Sequence, residues 1–599
     1  VAQLRAERHV QPIEGMWNQL QQRCDNHWMK VSTLPYRAWE SKSGINPDIA
    51  YRGRILLTQV LELALLARLE NNRNYANQAQ AILLSATDQV TPDLLSAHDS
   101  DLMVGDTAHA LAVGLDWLWP WLDADQRRDL LGRVQVYGAW IAAHSQTEPW
   151  GRNEANREIS NWNGVLHGSL GLCGLWTGNQ AWVQRALLRC QEHLATDLDA
   201  TGFPLEGLGY ALYGKADVFP FLEALKLRDG HDYLADNTQL PLFVAAYRSL
   251  WIPGRAENIP WNQVSPVISQ TGSFWNLLAH CQDKESCWWW YRTFGAPAQG
   301  GNGSYGASDP GAPGLVYCLL WCDPTLKPVR PPASEWLHRF ALGLVTARSG
   351  WSDDDSIFSF NAINAPGSFW HHADQGGFTL YFRGEGFSVE AGAGAKTSDT
   401  HSTLLFDGQD QDADGGPSSN PVKLTRCDAK GGWLIAGGDL KNAYARKAKV
   451  AAYQRQVAYN RGPQPCVVVY DQWKRAIAPT EVGFLLITDA ANKLAPTGPN
   501  QWRITGARGK ANCTVAFPLE LKIQMTTEPL LHGSERVTFH IANPAGSLLA
   551  VLAASPVGQA PTDVSFPTDL AAALRLGGKN PLRVEAKNGQ LVVGTGLSK

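Results

Sequence analysis

No surplus of positive charge marks this chain. Its 52 Lys and Arg are outnumbered by 56 Asp and Glu, for a formal net charge of −4, whereas proteins that bind nucleic acid or membrane surfaces carry a basic excess. Neither partner is expected, and an anionic ligand must be met by a local group of donors. Also missing is any apolar run of the roughly 18 residues that span a bilayer. The ten cysteines form no Cys-x-x-Cys pair and no zinc-ribbon spacing, and Cys318 and Cys322, in one apolar run, read as buried thiols. Methionine is scarce, at four residues, while tryptophan reaches 24. Most of these tryptophans read as core, as in Leu115-Asp116-Trp117-Leu118-Trp119, although such a content also suits platforms on which sugars stack. The chain begins with Val, from which we expect a removed upstream segment such as a signal peptide, and hence a periplasmic or secreted protein.

At 599 residues the chain is too long for one core, and roughly two to four domains are expected. From about residue 50 to 320 apolar residues recur every three or four positions. The run 107-TAHALAVGLDWLWPWL-122 followed by 123-DADQRRDLLGRVQVYGAWIAAH-144 reads as a helical hairpin. The proline-rich 323-DPTLKPVRPPASEW-336 ends that period, and short β-branched runs follow, among them 378-FTLYF-382, 466-CVVVYDQW-473 and 481-EVGFLLIT-488. The expected organisation is a helical domain over 1–330, of helix pairs stacked around a ring or solenoid, then an antiparallel β-sandwich region over 337–599. A small separate sheet is expected from about residue 510.

Three stretches hold groups capable of chemistry. In 153-NEANREISNWNGVLHGSLGLCGL-175 an asparagine-rich lead enters an apolar helix. A helix starting near Ser160 sets Asn163 and His167 on one face; an Asn cap and a satisfied core histidine are the plainer account of the pattern and the one the sequence favours. In 201-TGFPLEGLGYALYG-214, Glu206, Tyr210 and Tyr213 lie between glycines, and a tyrosine whose pKa is lowered from about 10 can serve as general acid or base. The third is 370-WHHADQGGFTLYFRGEGFSVE-390. As a hairpin turning at Arg383-Gly384-Glu385-Gly386, it carries Glu390 back towards His372, while His401 arrives on the next segment. Two histidines and a carboxylate are a recognised ligand set for a divalent metal.

These motifs, in this order across a helical-to-β boundary, resemble the heparinase II/III-like polysaccharide lyases and their relative dermatan sulfate epimerase. The likeness covers roughly residues 50 to 420, with further landmarks in 112-AVGLDWLWPWLDADQR-127, 206-EGLGY-210, 346-TARSGWSDDD-355, 372-HADQGGF-378 and 400-THSTLLFDGQDQ-411. It implies an N-terminal α/α toroid followed by a C-terminal antiparallel β-sandwich, acting on uronic-acid-containing polysaccharide in the cleft between them. Tyr210 matches the catalytic tyrosine, and Asn161 and Asn163 match the region that grips the substrate carboxylate. His372, Glu390 and His401 match positions that hold a structural metal, usually zinc, with Mn2+ or Ca2+ as other candidates. Substrate-binding roles are implied for Arg157, Glu206, Tyr213, Trp370 and Arg348. The family pattern is usually H-x-H-A/P-D-Q with the first histidine catalytic. Here Trp370 takes that place and His371 follows it, so His371 becomes the candidate acid/base; Arg157 stands where some relatives have a catalytic histidine.

The expected reaction is β-elimination from a glycosaminoglycan- or alginate-type polymer. The C6 carboxylate is neutralised by Asn161, Asn163 and Arg157, the C5 proton is removed, and the C4 oxygen leaves with a proton from Tyr210 or His371. A uronyl C5-epimerase needs the same groups. A carbohydrate-binding protein with a decayed site is the reading of a different class. Oligomeric state is not legible.

Overall fold

The computed structural model describes residues 1–31, 52–88, 90–98, 100–152, 160–262, 264, 272–296, 314–364, 372–412, 422–576 and 582–595. Arg157, Trp370 and His371 lie outside them. The described helices are α1 (Ala2–Ala6), α2 (Ile13–Asn26), α3 (Arg52–Glu70), α4 (Arg73–Asp88), α5 (Pro92–His98), α6 (Asp101–Leu118), α7 (Ala124–His144) and α8 (Pro149–Arg152). They continue as α9 (Asn161–Thr177), α10 (Gln180–Thr196), α11 (Leu208–Asp229), α12 (Leu240–Ser249), α13 (Gly272–Cys281), α14 (Lys284–Phe294) and α15 (Gly314–Trp321). None is long and apolar enough to cross a membrane. The chain divides into two compact units. One comprises Val1–Leu198, Pro204–Ala245 and Val267–Arg330, the other Asp199–Phe203, Ala246–Pro266 and Pro331–Lys599.

In the helical unit the expected hairpin is α6 and α7. Asp123 starts α7 with a capping box: its carboxylate accepts from the Gln126 backbone N–H, and the Gln126 side chain accepts in return. The apolar α9 is packed unusually close to α11, because a stripe of glycines faces it. A Cβ on Gly164 would lie 3.0 Å from Gly214 O, one on Gly168 2.5 Å from the Asp217 backbone, and one on Gly171 2.3 Å from the Phe221 ring. As both residue numbers rise together, the two helices run parallel and their N-termini lie at the same end. Cys318 is buried as expected, but Cys322 at the end of the apolar run is only half-buried.

The second unit is built from antiparallel sheets. The first contains β1 (Leu337–Arg339), β2 (Leu344–Arg348), β3 (Ser356–Asn361), β4 (Phe378–Phe382) and β5 (Glu385–Ser388), in that order. Then come β6 (Leu404–Phe406), β7 (Lys423–Lys430), β8 (Trp433–Asp439), β9 (Val450–Asn460), β10 (Cys466–Arg475), β11 (Glu481–Asp489), β12 (Lys493–Gly498), β13 (Gln501–Thr505) and β14 (Ala511–Ala516). The last are β15 (Ile523–Pro529), β16 (Ser534–Ala542), β17 (Ser547–Pro556), β18 (Asp563–Thr568), β19 (Ala571–Arg575), β20 (Leu582–Lys587) and β21 (Gln590–Thr595). An eight-stranded sheet runs β12-β13-β14-β17-β10-β9-β8-β7, a four-stranded one β15-β16-β11-β6, and another four-stranded one β18-β19-β20-β21.

Strand β10 shows why its sequence is a continuous apolar run rather than an alternating one. Val467 and Val469 face a core shared with Phe358, Leu380 and Phe484, while Cys466, Val468 and Tyr470 face a second core closed by Val564, Leu574 and Val584. Both faces of the eight-stranded sheet are therefore buried.

The hairpin of the histidine motif is tighter than the sequence suggests. Arg383 (φ 55°) and Gly384 (φ 77°) alone form the turn, with Phe382 paired to Glu385. Two successive left-handed residues give a turn whose twist matches the strands. A register shift after the Tyr381–Gly386 pair leaves Phe387 as a bulge, and Leu380 pairs with Ser388.

Candidate functional site

On the helical side, the parallel α9–α11 pair gathers the candidates. Ser160 caps α9, its hydroxyl accepting from the Trp162 N–H, so the helix begins where the sequence placed it. Gly207, with φ 91°, starts α11, and Tyr210 sits half-buried in its first turn. A Cβ on Gly214 would lie 3.4 Å from the Asn161 Cα, which shows how near α11 approaches the start of α9. Glu206 joins the two: its Oε2 accepts from the Asn161 backbone N–H at 2.6 Å and from Asn161 Nδ2 at 3.0 Å. Burial drives its carboxyl pKa upward, against the bonds from Asn161 and Ser160, to about 7. A buried ion pair, Lys215 with Asp197, lies in the same unit, with His193 3.8 Å from that carboxylate.

Sequence reasoning put Glu206, Tyr213, Asn161 and Asn163 at the substrate. The structure places all four in the interior of the helical unit. Tyr213 donates to Asp106 Oδ2 at 2.8 Å and so braces α11 on α6. His167 is the satisfied core histidine: it bonds Ser145 Oγ at 2.8 Å and the Asn163 carbonyl at 3.0 Å, and burial, with Arg189 adding to it, lowers its pKa to about 3.

In the β unit, His372, Glu390 and His401 are all buried, and one ligand atom from each lies within 4.8 Å of the others. His372 sits at the start of a loop, 372–377, bent at Gly376 (φ 77°), and Glu390 follows the bulged β5. His401 Nε2 is bonded to the Ala395 carbonyl at 2.8 Å, so Nδ1 is the nitrogen turned to Glu390 Oε1, which it contacts directly. Burial opposes charge on this imidazole, but the Glu390 carboxylate outweighs it and the pKa moves upward. The set fits a divalent ion: two imidazoles and a carboxylate, one imidazole already fixed by a backbone bond on its far nitrogen, as ligating histidines usually are. Asp374, also buried, has its pKa raised by that burial.

The loops around these ligands are tied by residues the sequence reading did not single out. Arg455 and Asp471, paired across β9 and β10, form a fully buried two-pronged ion pair, with Nε to Oδ1 at 2.7 Å and Nη2 to Oδ2 at 2.9 Å. Arg455 Nη1 also donates to the carbonyls of Gly376 (2.8 Å) and Ser402 (3.2 Å), one on each metal-motif segment. Gln411 Oε1 accepts from the Gln375 N–H at 3.0 Å, and its Nε2 donates to the Gln375 carbonyl at 2.9 Å. The motifs HADQGGF and THSTLLFDGQDQ are thus one hydrogen-bonded assembly. An opposite-charge pair inside two apolar strands was the available signal. Arg348, expected at substrate, is 2% exposed and donates to the carbonyls of Ser249 and Trp251, with its guanidinium 3.8 Å from the Trp351 ring centre.

These features define a helical domain of the α/α type followed by an antiparallel β-sandwich with a buried group able to hold a metal. Solved structures share that fold over nearly the whole chain. A crystal structure of heparinase III matches with TM-score 0.63 at 12% identity, covering 98% of this chain and 91% of that one. A mutant heparan sulfate lyase from Pedobacter heparinus matches at 0.60 and 14%, covering 96% and 89%. A Streptomyces coelicolor chondroitin AC lyase in complex with chondroitin sulphate matches at 0.55 and 12%, covering 98% and 86%. No family model matches the sequence, and no curated protein does.

Proposed function

We propose that the protein is a lyase that cuts uronic-acid-containing polysaccharide, of the glycosaminoglycan or alginate type, by β-elimination. The observation that supports it is the parallel α9–α11 pair, which sets Tyr210 in the first turn of one helix beside the Asn161 end of the other. The fold is shared with enzymes named for heparan sulfate and chondroitin. In this reading, amides at the start of α9, joined by Arg157, neutralise the C6 carboxylate and let negative charge develop as the C5 proton departs. Glu206 engages Asn161 Nδ2, which carries a second hydrogen for the carboxylate. Tyr210 takes the C5 proton and returns a proton to the C4 oxygen as that bond breaks.

His372, Glu390 and His401 would hold a structural divalent ion, zinc first. When bound, the ion supplies a rigid cross-link between three loop segments. Arg455, fixed by Asp471, and Gln411 tie the His372 and His401 segments together.

The test is digestion of heparan sulfate, chondroitin sulfate, hyaluronan, alginate and glucuronan, followed by ultraviolet absorbance of the unsaturated uronate. One of the five should yield absorbing oligosaccharides, and Tyr210→Phe should not. Exchange of the C5 hydrogen with solvent without chain cleavage would make the protein an epimerase instead. Binding without turnover on all five would make it a carbohydrate-binding protein.

A further inference from the structure

The far end of the same helices carries a second feature, independent of the lyase reading. The C-terminal turns of α6, α9, α11 and α15 surround a pocket of about 680 Å³, within the helical unit. It lies some twelve residues along α9 from Asn163, or about 18 Å. Its walls are aromatic. Trp176 stacks on Trp119 with ring centres 5.5 Å apart, and Trp321 stacks on Tyr317 at 4.6 Å. Trp117 is a further half-buried ring in the lining. One wall is fixed from beneath, since the Tyr317 hydroxyl bonds His109 Nε2 at 2.6 Å and His109 Nδ1 bonds the buried Asp217 at 2.7 Å. Leu227 at the rim is 91% exposed, an apolar side chain with nothing over it.

The electrostatics narrow the ligand. Helix C-termini present carbonyls and a partial negative charge, and three long helices end here. Two carboxylates, Asp116 and Glu223, line the pocket against one guanidinium, Arg228. Glu223 is held by Asn276 and His280, at 2.7 and 2.8 Å, and Arg228 reaches the Leu175 carbonyl. A polyanion is disfavoured in such surroundings. What fits is a molecule with apolar faces for the indoles and hydroxyl donors for the carbonyls and carboxylates. We infer that this pocket is a non-catalytic binding site for an uncharged pyranose sugar, held between the Trp176 and Trp321 walls.

The full chain should be titrated by calorimetry and by tryptophan fluorescence with cellobiose and N,N′-diacetylchitobiose. A tetrasaccharide of heparan sulfate and tetramethylammonium serve as the anionic and cationic comparisons. At least one neutral disaccharide should bind saturably, and Trp176→Ala and Trp321→Ala should each weaken it about tenfold. Leu227→Glu changes an exposed side chain, so the melting temperature should hold while binding weakens about threefold. Tyr210→Phe, at the opposite end of α11, should leave it unchanged. The inference is overturned if neither disaccharide binds, or if binding survives both tryptophan variants and Leu227→Glu. It is also overturned if binding disappears in Tyr210→Phe, or if tetramethylammonium or the acidic tetrasaccharide binds the pocket more tightly than the neutral sugars.

Discussion

Replacing Gly168 by alanine tests how the two candidate helices are held together. The added methyl would sit 2.5 Å from the Asp217 carbonyl carbon and oxygen and 2.8 Å from Val218 N. Carbon atoms in comfortable contact stand about 3.5–4 Å apart, so the α11 backbone has to retreat by about 1 Å. Backbone cannot swing aside as a side-chain tip can, and overpacking of this kind costs about 1–3 kcal/mol. Alanine's better helix propensity returns about 0.5–1 kcal/mol of that. Gly132 on α7 supplies the control, because a Cβ there meets nothing within 4 Å; Gly132→Ala should stabilise by the same 0.5–1 kcal/mol or so. Urea unfolding should therefore separate two identical substitutions, both in helices, by about 1–3 kcal/mol, with Gly168→Ala the less stable. Activity should fall with it, since a shift of about 1 Å in a catalytic group can cost on the order of 100-fold. A Gly168→Ala protein as stable as Gly132→Ala would refute the packing argument.

Four other substitutions give distinct signatures. Tyr210→Phe should lose at least about 10²–10⁴-fold in turnover with its unfolding curve unmoved, and wild-type turnover would dispose of the tyrosine's role. Elemental analysis should find about one divalent ion per chain, and His401→Ala should lower both that content and the melting temperature; a metal-free protein of full stability would leave the triad as ordinary hydrogen-bonding residues. Glu206, with its pKa raised from 4.5 to about 7, keeps a proton when folded that the unfolded chain gives up, so its contribution falls as pH rises through that window. Glu206→Gln should accordingly gain on wild type between about pH 4.5 and 7, by up to about 3 kcal/mol, whereas a constant offset in unfolding free energy would contradict the shift. Asp471→Asn leaves the buried Arg455 uncompensated and should cost about 3–5 kcal/mol, seen as a lower urea midpoint; a change under about 1 kcal/mol would mean the pair is not fully buried.

What the sequence made legible follows from what leaves a periodic or short-range trace. The change from a three-to-four period to β-branched runs marked the passage from helices to sheets, and the start of α9 near Ser160 came from a polar lead entering an apolar run, although the cap is Ser160 and not the expected Asn. The triad His372, Glu390 and His401 spans only thirty residues and was reached through a hairpin. The hairpin's turn was drawn two residues too long, because Arg-Gly-Glu-Gly offers several turns and a bulge at Phe387 shifts the register afterwards. Long-range pairings left no comparable trace. Glu206 looked like a loop residue beside a tyrosine, yet its partner is Asn161, 45 positions earlier. Arg348 was placed at the substrate by family likeness, but it is buried and its Nη2 donates to carbonyls nearly a hundred residues away in sequence. Most tryptophans read as core, and only the convergence of four helix ends shows that Trp176 and Trp321 face a pocket.

The central claim is that the chain breaks a glycosidic bond by elimination rather than by adding water. Mass spectrometry of the products formed in oxygen-18 water decides it. Elimination predicts a new non-reducing end that is one water lighter than a hydrolysed one and carries a double bond, and a new reducing end that, trapped at once by borohydride reduction, keeps the original glycosidic oxygen. Heavy oxygen at that trapped reducing end with a saturated non-reducing end, or a polymer left at its original length on every uronate substrate, would contradict it.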